Sequence, residues 1–330
     1  MVIACVKPLL GLALLAMAEA ALGAAPSWTT LKTEELFGNT YTRIESWADL
    51  YKWTCRWTRK DEEITVTSKW SKLVFTVNSR QAEINGVKVH LSVPIARRGS
   101  EAFISPLDLR TTLQPILFPA RTLKAGQIKT ICLDPGHGGR DPGNQEGKRY
   151  EKEYTLLLAK ELRQHLQAAG FKVVLTRTDD SFLDLASRPE YARKQKAHLF
   201  LSLHYNAAAD SNVSGVETYC LTPANASSTN ARGEGANTGA YLANKNDAQN
   251  VLLSWHIQKS LLGALGAEDR GVRRARFAVL KYAESPAALI EAGFMTNNAE
   301  AKKLYDPEYR QKIAKAIVAG VQAYKKVVEK

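Results

Sequence analysis

The chain has 330 residues, of which 45% are hydrophobic and 24% charged, and its formal net charge is +12. This length suffices for two domains with a substantial core, and the composition is ordinary for a globular protein. After the first 25 residues, no stretch of the sequence is long and apolar enough to cross a membrane.

The N-terminus has the order of segments found in a secretory signal peptide. Lys7 precedes an apolar run over residues 8–17, and small residues follow over 18–25. The apolar run is too short to span a bilayer comfortably. We therefore predict a signal peptide over residues 1–25, and an exported protein of the periplasm or cell wall without a stable membrane anchor. An uncleaved anchor or a buried first helix is the alternative interpretation.

The positive charge indicates an anionic partner. Lys7 and Glu19 cancel, so removal of the predicted signal peptide leaves the net charge unchanged. Nucleic acid is the usual partner of a basic chain, but the predicted export argues against it. Peptidoglycan of the bacterial cell wall fits better, because its peptides carry free carboxylates. A charge that serves only solubility is the alternative.

Residues 26–124 form the first predicted unit, a small α+β domain. Hydrophobic patterns and an Asn85-Gly86 hairpin turn predict strands over 63–67, 73–78, 81–84 and 87–93 and a helix over 107–117. Five of the six tryptophans also lie in this unit: Trp28, Trp47, Trp53, Trp57 and Trp70. We expect them to fill its core, and a sugar-stacking surface is the alternative.

Three features of this unit carry a family resemblance: Trp57 after a short helix, Ile84-Asn85-Gly86 in the hairpin, and the run from Phe103 to Leu107. Together they are similar to the N-terminal-like domain first described in copper amine oxidases. The resemblance implies an accessory domain and no copper ligands.

Residues 125–330 form the second predicted unit, which follows a linker over 119–127. Strands and helices alternate along it: strands 128–133, 172–176, 199–203, 215–221, 277–280 and 287–290, and helices 153–169, 187–195, 247–263 and 307–328. This order predicts an α/β domain with a mostly parallel sheet covered by helices on both faces. We expect this unit to fold alone, with a long mobile loop over residues 222–246.

The cysteines do not form a metal site, because no pair has metal-ligand spacing. Cys5 belongs to the predicted signal peptide, which leaves Cys55, Cys132 and Cys220. Cys132 and Cys220 lie in apolar, strand-like runs and are expected to be buried core residues, with a disulfide between them as the alternative.

Two histidines directly follow predicted strands. His137 lies in a glycine-rich turn after strand 128–133, and His204 comes directly after strand 199–203. In such sheets, sites form beyond the carboxyl ends of strands. Two imidazoles, one carboxylate and an open position make a catalytic zinc site. The carboxylates available between the histidines are Asp141, Glu146, Glu151 and Glu153.

A further carboxylate, Glu291, ends the apolar strand that begins at Ala287. A glutamate in this position costs desolvation energy unless it is used or paired. Burial would adapt it for general-base catalysis. The alternative is a structural ion pair with Arg270 or Arg273.

Four motifs occur together in this unit, namely Asp134 to Gly139, Glu151-Lys152, Ser202 to Ala207, and Glu291 to Asn297. In this order they resemble the zinc-type N-acetylmuramoyl-L-alanine amidases. Arg270-Gly271-Val272 and residues 277–280 are also similar to segments of that family. The resemblance spans residues 128–328.

The resemblance implies zinc ligands at His137, Glu151 and His204 and a catalytic acid/base at Glu291. It favours Glu151 over Glu153, since neighbours two apart on a helix do not share a face. Asn206, beside His204, is expected to contact substrate. His256 matches no motif, but its helix is a candidate for the border of the cleft.

The implied activity is hydrolysis of the amide between N-acetylmuramic acid and L-alanine in cell-wall remodelling, turnover or daughter-cell separation. A wall-binding pseudoenzyme and a zinc peptidase acting within the stem peptide are the alternatives. A protein activator is a possible partner. Some members carry a helix that blocks the zinc, but residues 222–246 lack the apolar periodicity such a helix needs.

Overall fold

A computed structural model describes residues 30–229 and 239–330. The predicted signal peptide, residues 1–25, lies outside these ranges, as do residues 230–238 of the predicted loop. Within the described ranges, each helix is too short or too polar to traverse a lipid bilayer.

The N-terminal unit consists of strands and short helices. Its strands are β1 (Glu34–Leu36), β2 (Asn39–Arg43), β3 (Thr54–Arg59), β4 (Glu63–Thr67), β5 (Lys72–Thr76), β6 (Gln81–Ile84), β7 (Val87–His90), β8 (Ala96–Arg98) and β9 (Glu101–Ile104). Its helices are α1 (Ile44–Leu50), α2 (Pro106–Asp108) and α3 (Gln114–Leu117), with a π-helical turn over Leu109–Leu113 between the last two. The hairpin at Asn85-Gly86 is present, with Asn85 at φ 51° and Gly86 at φ 79°.

The C-terminal unit alternates strands and helices. Its strands are β10 (Thr130–Pro135), β11 (Gln145–Glu146), β12 (Arg149–Tyr150), β13 (Lys172–Leu175), β14 (Leu199–Asn206), β15 (Val216–Leu221), β16 (Asp269–Ala275) and β17 (Ala287–Phe294). Its helices are α4 (Glu151–Ala168), α5 (Ser187–Lys194), α6 (Asp247–Leu265), α7 (Ala278–Lys281), α8 (Asn298–Tyr305) and α9 (Pro307–Val328), with a 3₁₀ turn over Leu242–Asn246.

One predicted strand is wrong. Residues 277–280 lie at a helix, α7, because a four-residue apolar run has no periodicity that separates the two structures. The sequence also did not indicate β16, in which charged residues surround a buried Val272. This strand forms because β15 and β7 pair with its two edges.

The main sheet has 11 strands in the order β13-β10-β14-β17-β15-β16-β7-β6-β5-β4-β3. In its C-terminal part, from β13 to β16, every neighbouring pair is parallel except the antiparallel pair β15–β17. The chain is therefore an α/β protein with a large mixed sheet. The N-terminal strands β3 to β7 extend that sheet beyond β16.

Helices cover both faces of the C-terminal part of the sheet. Alternate residues of β14, such as Leu201 and Leu203, pack with α4, α6 and α9 on one face. Phe200 points to the other face, which α5 and α7 cover. Cys132 and Cys220 are free thiols in clusters on opposite faces, so the alternative disulfide is absent.

The two units share an apolar cluster. Val251 and Trp255 of α6 and Val272 of β16 pack with core residues of the N-terminal unit. Of the tryptophans in that unit, Trp47 is buried, whereas Trp70 is 78% exposed. The boundary at residue 124 and independent folding of residues 125–330 stay predictions.

Replacement of Trp255 by alanine should destabilise the whole chain. Trp255 is 6% exposed within the shared cluster, and such truncations typically cost about 3–5 kcal/mol. Trp70→Ala is the matched control and should change stability by less than about 0.5 kcal/mol. Urea unfolding followed by circular dichroism measures both. Equal effects of the two substitutions would show that the units do not share a core.

Candidate metal centre and active site

Strands β10 and β14 bring the two predicted histidines to one edge of the sheet. The strands are parallel and in register, with Asp134 beside Ser202, and the Gly136 amide donates to the Leu203 carbonyl. The carboxyl ends of parallel strands meet at the same edge. The His137 and His204 rings consequently lie 4.9 Å apart, edge to face.

The glycine-rich turn permits this approach. A Cβ atom on Gly136 would lie 2.3 Å from the His204 ring, so only glycine fits there. His137 itself has a φ of 63°, in the left-handed region that is uncommon for a residue with a side chain. Such conformations cluster at functional sites, where the surrounding structure holds them in place.

Glu151 joins the two histidines. It begins α4, is 1% exposed, and has Oε2 3.1 Å from His137 Nε2 and Oε1 3.0 Å from His204 Nδ1. The backbone amides of Asn144 and Tyr205 also donate to its carboxylate. Burial acts to raise the pKa of Glu151, but the two imidazoles outweigh it and hold the pKa below its ordinary value.

Asp141 orients His137 from the other side of the ring. Its Oδ2 lies 2.9 Å from His137 Nδ1, which leaves Nε2 directed at Glu151. A carboxylate behind a ligating histidine is the usual support in metal sites. Burial lowers the pKa of His137, but the carboxylates of Glu151 and Asp141 outweigh it and raise the pKa.

The other two carboxylates considered from the sequence lie elsewhere. Glu146 accepts a hydrogen bond from the Tyr305 hydroxyl, and Glu153 is exposed on α4. Lys152, the second residue of the Glu-Lys motif, donates to the Gly139 carbonyl and to Asp180 and so fastens the glycine-rich turn.

The donor set fits a zinc ion. One ligand atom from each of His137, Glu151 and His204 lies within 4.8 Å of the others. Ligands about 2.0–2.1 Å from a tetrahedral zinc are roughly 3.3 Å apart, close to the histidine–carboxylate distances found here. Two imidazoles and a carboxylate are also the donors typical of catalytic zinc.

Glu291 lies beside this cluster on the same face of the sheet. In register it pairs with His204 on β14 and with Glu217 on β15. Its Oε2 is buried without a hydrogen-bond partner among the described residues. Burial first, and then the carboxylates of Glu151 and Glu217, raise the pKa of Glu291 well above its usual value.

The alternative ion pair for Glu291 does not form, because the arginines bind another carboxylate. Arg270 and Arg273 both contact Glu217, at 3.3 Å and 3.1 Å. The alternating pattern of β15 does not distinguish a buried glutamate such as Glu217 from an ordinary surface glutamate. Asn206 donates to the same carboxylate, at 2.6 Å, and its substrate contact stays a prediction.

His256 is not at this site. It lies on α6, which packs against the opposite face of the sheet. Burial first, and the charge of Lys259 second, lower the pKa of His256 to about 4.

Next to the glycine-rich turn, Asp134 and Arg188 form a fully buried ion pair that hydrophobic patterns in the sequence do not predict. Asp134 is 0% exposed, lies 2.9 Å from Arg188 Nη1, and also accepts from Thr176 and Ser202. Arg188 Nη2 donates to the His137 carbonyl. A single arginine in a polar helix carries no sequence signal that distinguishes it from a surface residue.

Together, the α/β sheet and the His–Glu–His cluster at its edge define a candidate metallohydrolase. A family model described as N-acetylmuramoyl-L-alanine amidase matches residues 131–323, and the chain belongs to that family.

Relatives and solved structures match about three fifths of the chain. LytC, an N-acetylmuramoyl-L-alanine amidase of Bacillus subtilis, is 38% identical over 213 residues, which are 62% of this chain and 39% of LytC. The chain thus spans about two fifths of that relative's length. The catalytic domain of CwlV from Bacillus (Paenibacillus) polymyxa is 30% identical with a TM-score of 0.51, covering 60% of this chain and 99% of that domain. CwlD from Clostridioides difficile, solved in complex with the GerS lipoprotein, is 31% identical with a TM-score of 0.51 and the same coverage.

Loss of the buried arginine should disturb both fold and site. Arg188→Met leaves the Asp134 carboxylate buried without its cation, which typically costs about 3–5 kcal/mol. Arg193→Met, on the same helix, removes an exposed ion pair with Glu190 and should leave stability unchanged. Thermal and urea unfolding of the two variants compare them. A mild effect of Arg188→Met would contradict this role.

Proposed function

We propose that this protein is a zinc-dependent amidase that hydrolyses the bond between N-acetylmuramic acid and L-alanine in peptidoglycan. The observation that carries the proposal is the His137–Glu151–His204 cluster beside Glu291, whose Oε2 is buried and unpaired among the described residues, in a chain of the amidase family. Such an activity would serve cell-wall remodelling, turnover or daughter-cell separation.

His137, Glu151 and His204 would hold the zinc ion, and Asp141 would keep the His137 ring in place. When bound, zinc supplies Lewis-acid chemistry, because it acidifies water and polarises a carbonyl group. The carboxylate of Glu151 offsets the charge of the cation, and burial of Glu151 limits competition from solvent.

Glu291 would carry the proton. Its Oε2 has no hydrogen-bond partner among the described residues, so it is available to accept a proton from the attacking water. A raised pKa makes this oxygen a stronger base than an ordinary glutamate near neutral pH. The same oxygen then delivers the proton to the leaving amine nitrogen of L-alanine.

The proposed setting is outside the cytoplasmic membrane. A signal peptide over residues 1–25 and a net charge of +12 suit an exported enzyme that works on an anionic wall. CwlD was solved with a lipoprotein, GerS, which supports the proposal that a partner protein regulates this enzyme. The N-terminal unit, proposed to resemble the copper amine oxidase domain, would act as an accessory domain.

Product analysis on intact glycan–peptide substrate tests the function. An amidase releases peptides that begin with L-alanine and leaves a free muramoyl carboxyl group, both identified by mass spectrometry. A peptidase would cut within the stem peptide instead, and a wall-binding pseudoenzyme would release nothing. Either of those results would overturn the proposal.

Removal of a proposed ligand should remove the metal. His137→Ala leaves one imidazole and one carboxylate, so we expect strongly reduced zinc content by metal analysis of the purified protein. His165→Ala, on α4 but outside the cluster, is the control and should bind zinc like the wild type. Full zinc retention by His137→Ala would refute the ligand assignment.

Glu291→Gln should separate proton transfer from structure. The amide keeps the shape of the side chain but cannot accept the water proton, so turnover should fall by about 10³–10⁴-fold with zinc content and melting temperature preserved. The exposed Glu153→Gln is the control and should keep wild-type turnover. A stable, zinc-loaded Glu291→Gln protein with near wild-type turnover would exclude Glu291 from the mechanism.

A further inference from the structure

A polar cluster lines the sheet next to Glu291 and is centred on Glu217, which is 1% exposed. Arg270 Nε and Arg273 Nη1 both approach its Oε2, at 3.3 Å and 3.1 Å. Asn206 Nδ2 and the Tyr219 hydroxyl donate to its Oε1, at 2.6 Å and 2.8 Å. One buried carboxylate with its acceptor positions occupied thus stands between two guanidinium groups.

Arg270 has hydrogen-bonding capacity that this cluster does not use. Its Nη1 lies 3.5 Å from the Ser214 carbonyl and 3.8 Å from Glu268, a side chain that is 56% exposed and contributes little. Among residues 30–229 and 239–330, the hydrogen bonds of Arg270 use Nε and Nη1 and none uses Nη2. The side chain is 24% exposed, and its guanidinium lies 5.0 Å from the centre of the Phe294 ring.

The N-terminal unit fixes the backbone that carries Arg270. The Lys88 amide of β7 donates to Asp269 at 2.7 Å, and His90 Nε2 lies 3.3 Å from the Arg270 carbonyl. Gly271 has a φ of 86°, and a Cβ atom there would lie 2.9 Å from the Lys88 carbonyl. Arg270 is therefore held in place before any ligand arrives, which lowers the entropy that binding must overcome.

The distance between this cluster and His204 is close to the length of a short peptide segment. His204, Glu291 and Glu217 are in register on adjacent strands, so the backbone of Glu217 lies two strand spacings, about 10 Å, from that of the proposed ligand His204. Two extended residues span about 7 Å. A stem peptide whose scissile amide lies at the metal centre and which runs across β17 toward β15 would place its second residue within reach of Arg270.

We propose that Arg270 binds the free carboxylate of the second residue of the stem peptide and makes the enzyme selective for peptides that carry it. The inference rests on the proposed amidase function. A guanidinium group with an unused edge forms charge-assisted hydrogen bonds to a carboxylate, whereas a carboxamide at the same position offers only a neutral acceptor.

Two muramoyl tripeptides test this selectivity, one with a free α-carboxylate on the second residue and one with a carboxamide there. We expect wild-type enzyme to prefer the carboxylate probe. Arg270→Gln should lower kcat/KM on that probe by about 10–100-fold and on the carboxamide probe by less than about 3-fold. Calorimetry with the released carboxylate peptide should show a matching rise in Kd, independent of turnover.

Two further variants keep the test decisive. Arg270→Lys retains the charge and should recover part of the preference, and Arg163→Gln, exposed on α4, removes the same charge outside the cleft and should change neither probe. Equal losses on both probes, or a wild type without preference, would overturn the assignment of Arg270 while the amidase function stands. Release of peptide from neither probe by the wild type would defeat the proposed function itself.

Discussion

The geometry of the site depends on one buried carboxylate. The Glu151 carboxylate contacts the imidazoles of His137, which follows β10, and His204, which lies on β14. It also accepts hydrogen bonds from the backbone amides of Asn144 and Tyr205. Burial of a carboxylate at 1% exposure costs desolvation free energy unless such partners surround it. The need of Glu151 for these partners therefore holds the start of α4 against the ends of β10 and β14. Three features keep these segments together: the glycine-rich turn, the hydrogen bonds that Lys152 donates to it and to Asp180, and the hydrogen-bond network of buried Asp134.

The direction of one strand then decides the chemistry beside the cluster. Parallel strands alone bring carboxyl ends together, and they account for the two histidines. Because β15 runs antiparallel to β17, the amino end of β15 meets the carboxyl end of β17, and Glu217 comes to lie beside Glu291. Arg270 and Arg273 of β16 form ion pairs with Glu217, whereas Glu291 Oε2 has no hydrogen-bond partner among the described residues. Two glutamates in adjacent, paired positions therefore have different surroundings, and burial together with the carboxylates of Glu151 and Glu217 raises the pKa of Glu291.

The sequence predicted the parts of this arrangement that hydrophobic patterns and motifs encode. The long helix α9 was placed at its observed bounds, and the histidines were placed at strand ends, because apolar periodicity and glycine-rich turns are local signals. It did not predict β16, whose stability comes from partners on both sides rather than from its own residues. Nor did it predict the role of Arg188, because burial of a charge depends on a partner 54 positions away in the chain.

The continuous sheet has a consequence for aggregation. If β7 did not pair with β16, β16 would present an open row of backbone donors and acceptors to any other chain. Because the N-terminal unit pairs with β16, the edge strand at this end of the sheet is β3, whose Arg56 and Arg59 side chains are exposed. At the opposite end, the edge strand β13 has four residues and an exposed lysine, Lys172. Short or positively charged edge strands oppose pairing with the same strand of another copy. The 11-stranded sheet can therefore keep both edge strands exposed to solvent without promoting aggregation.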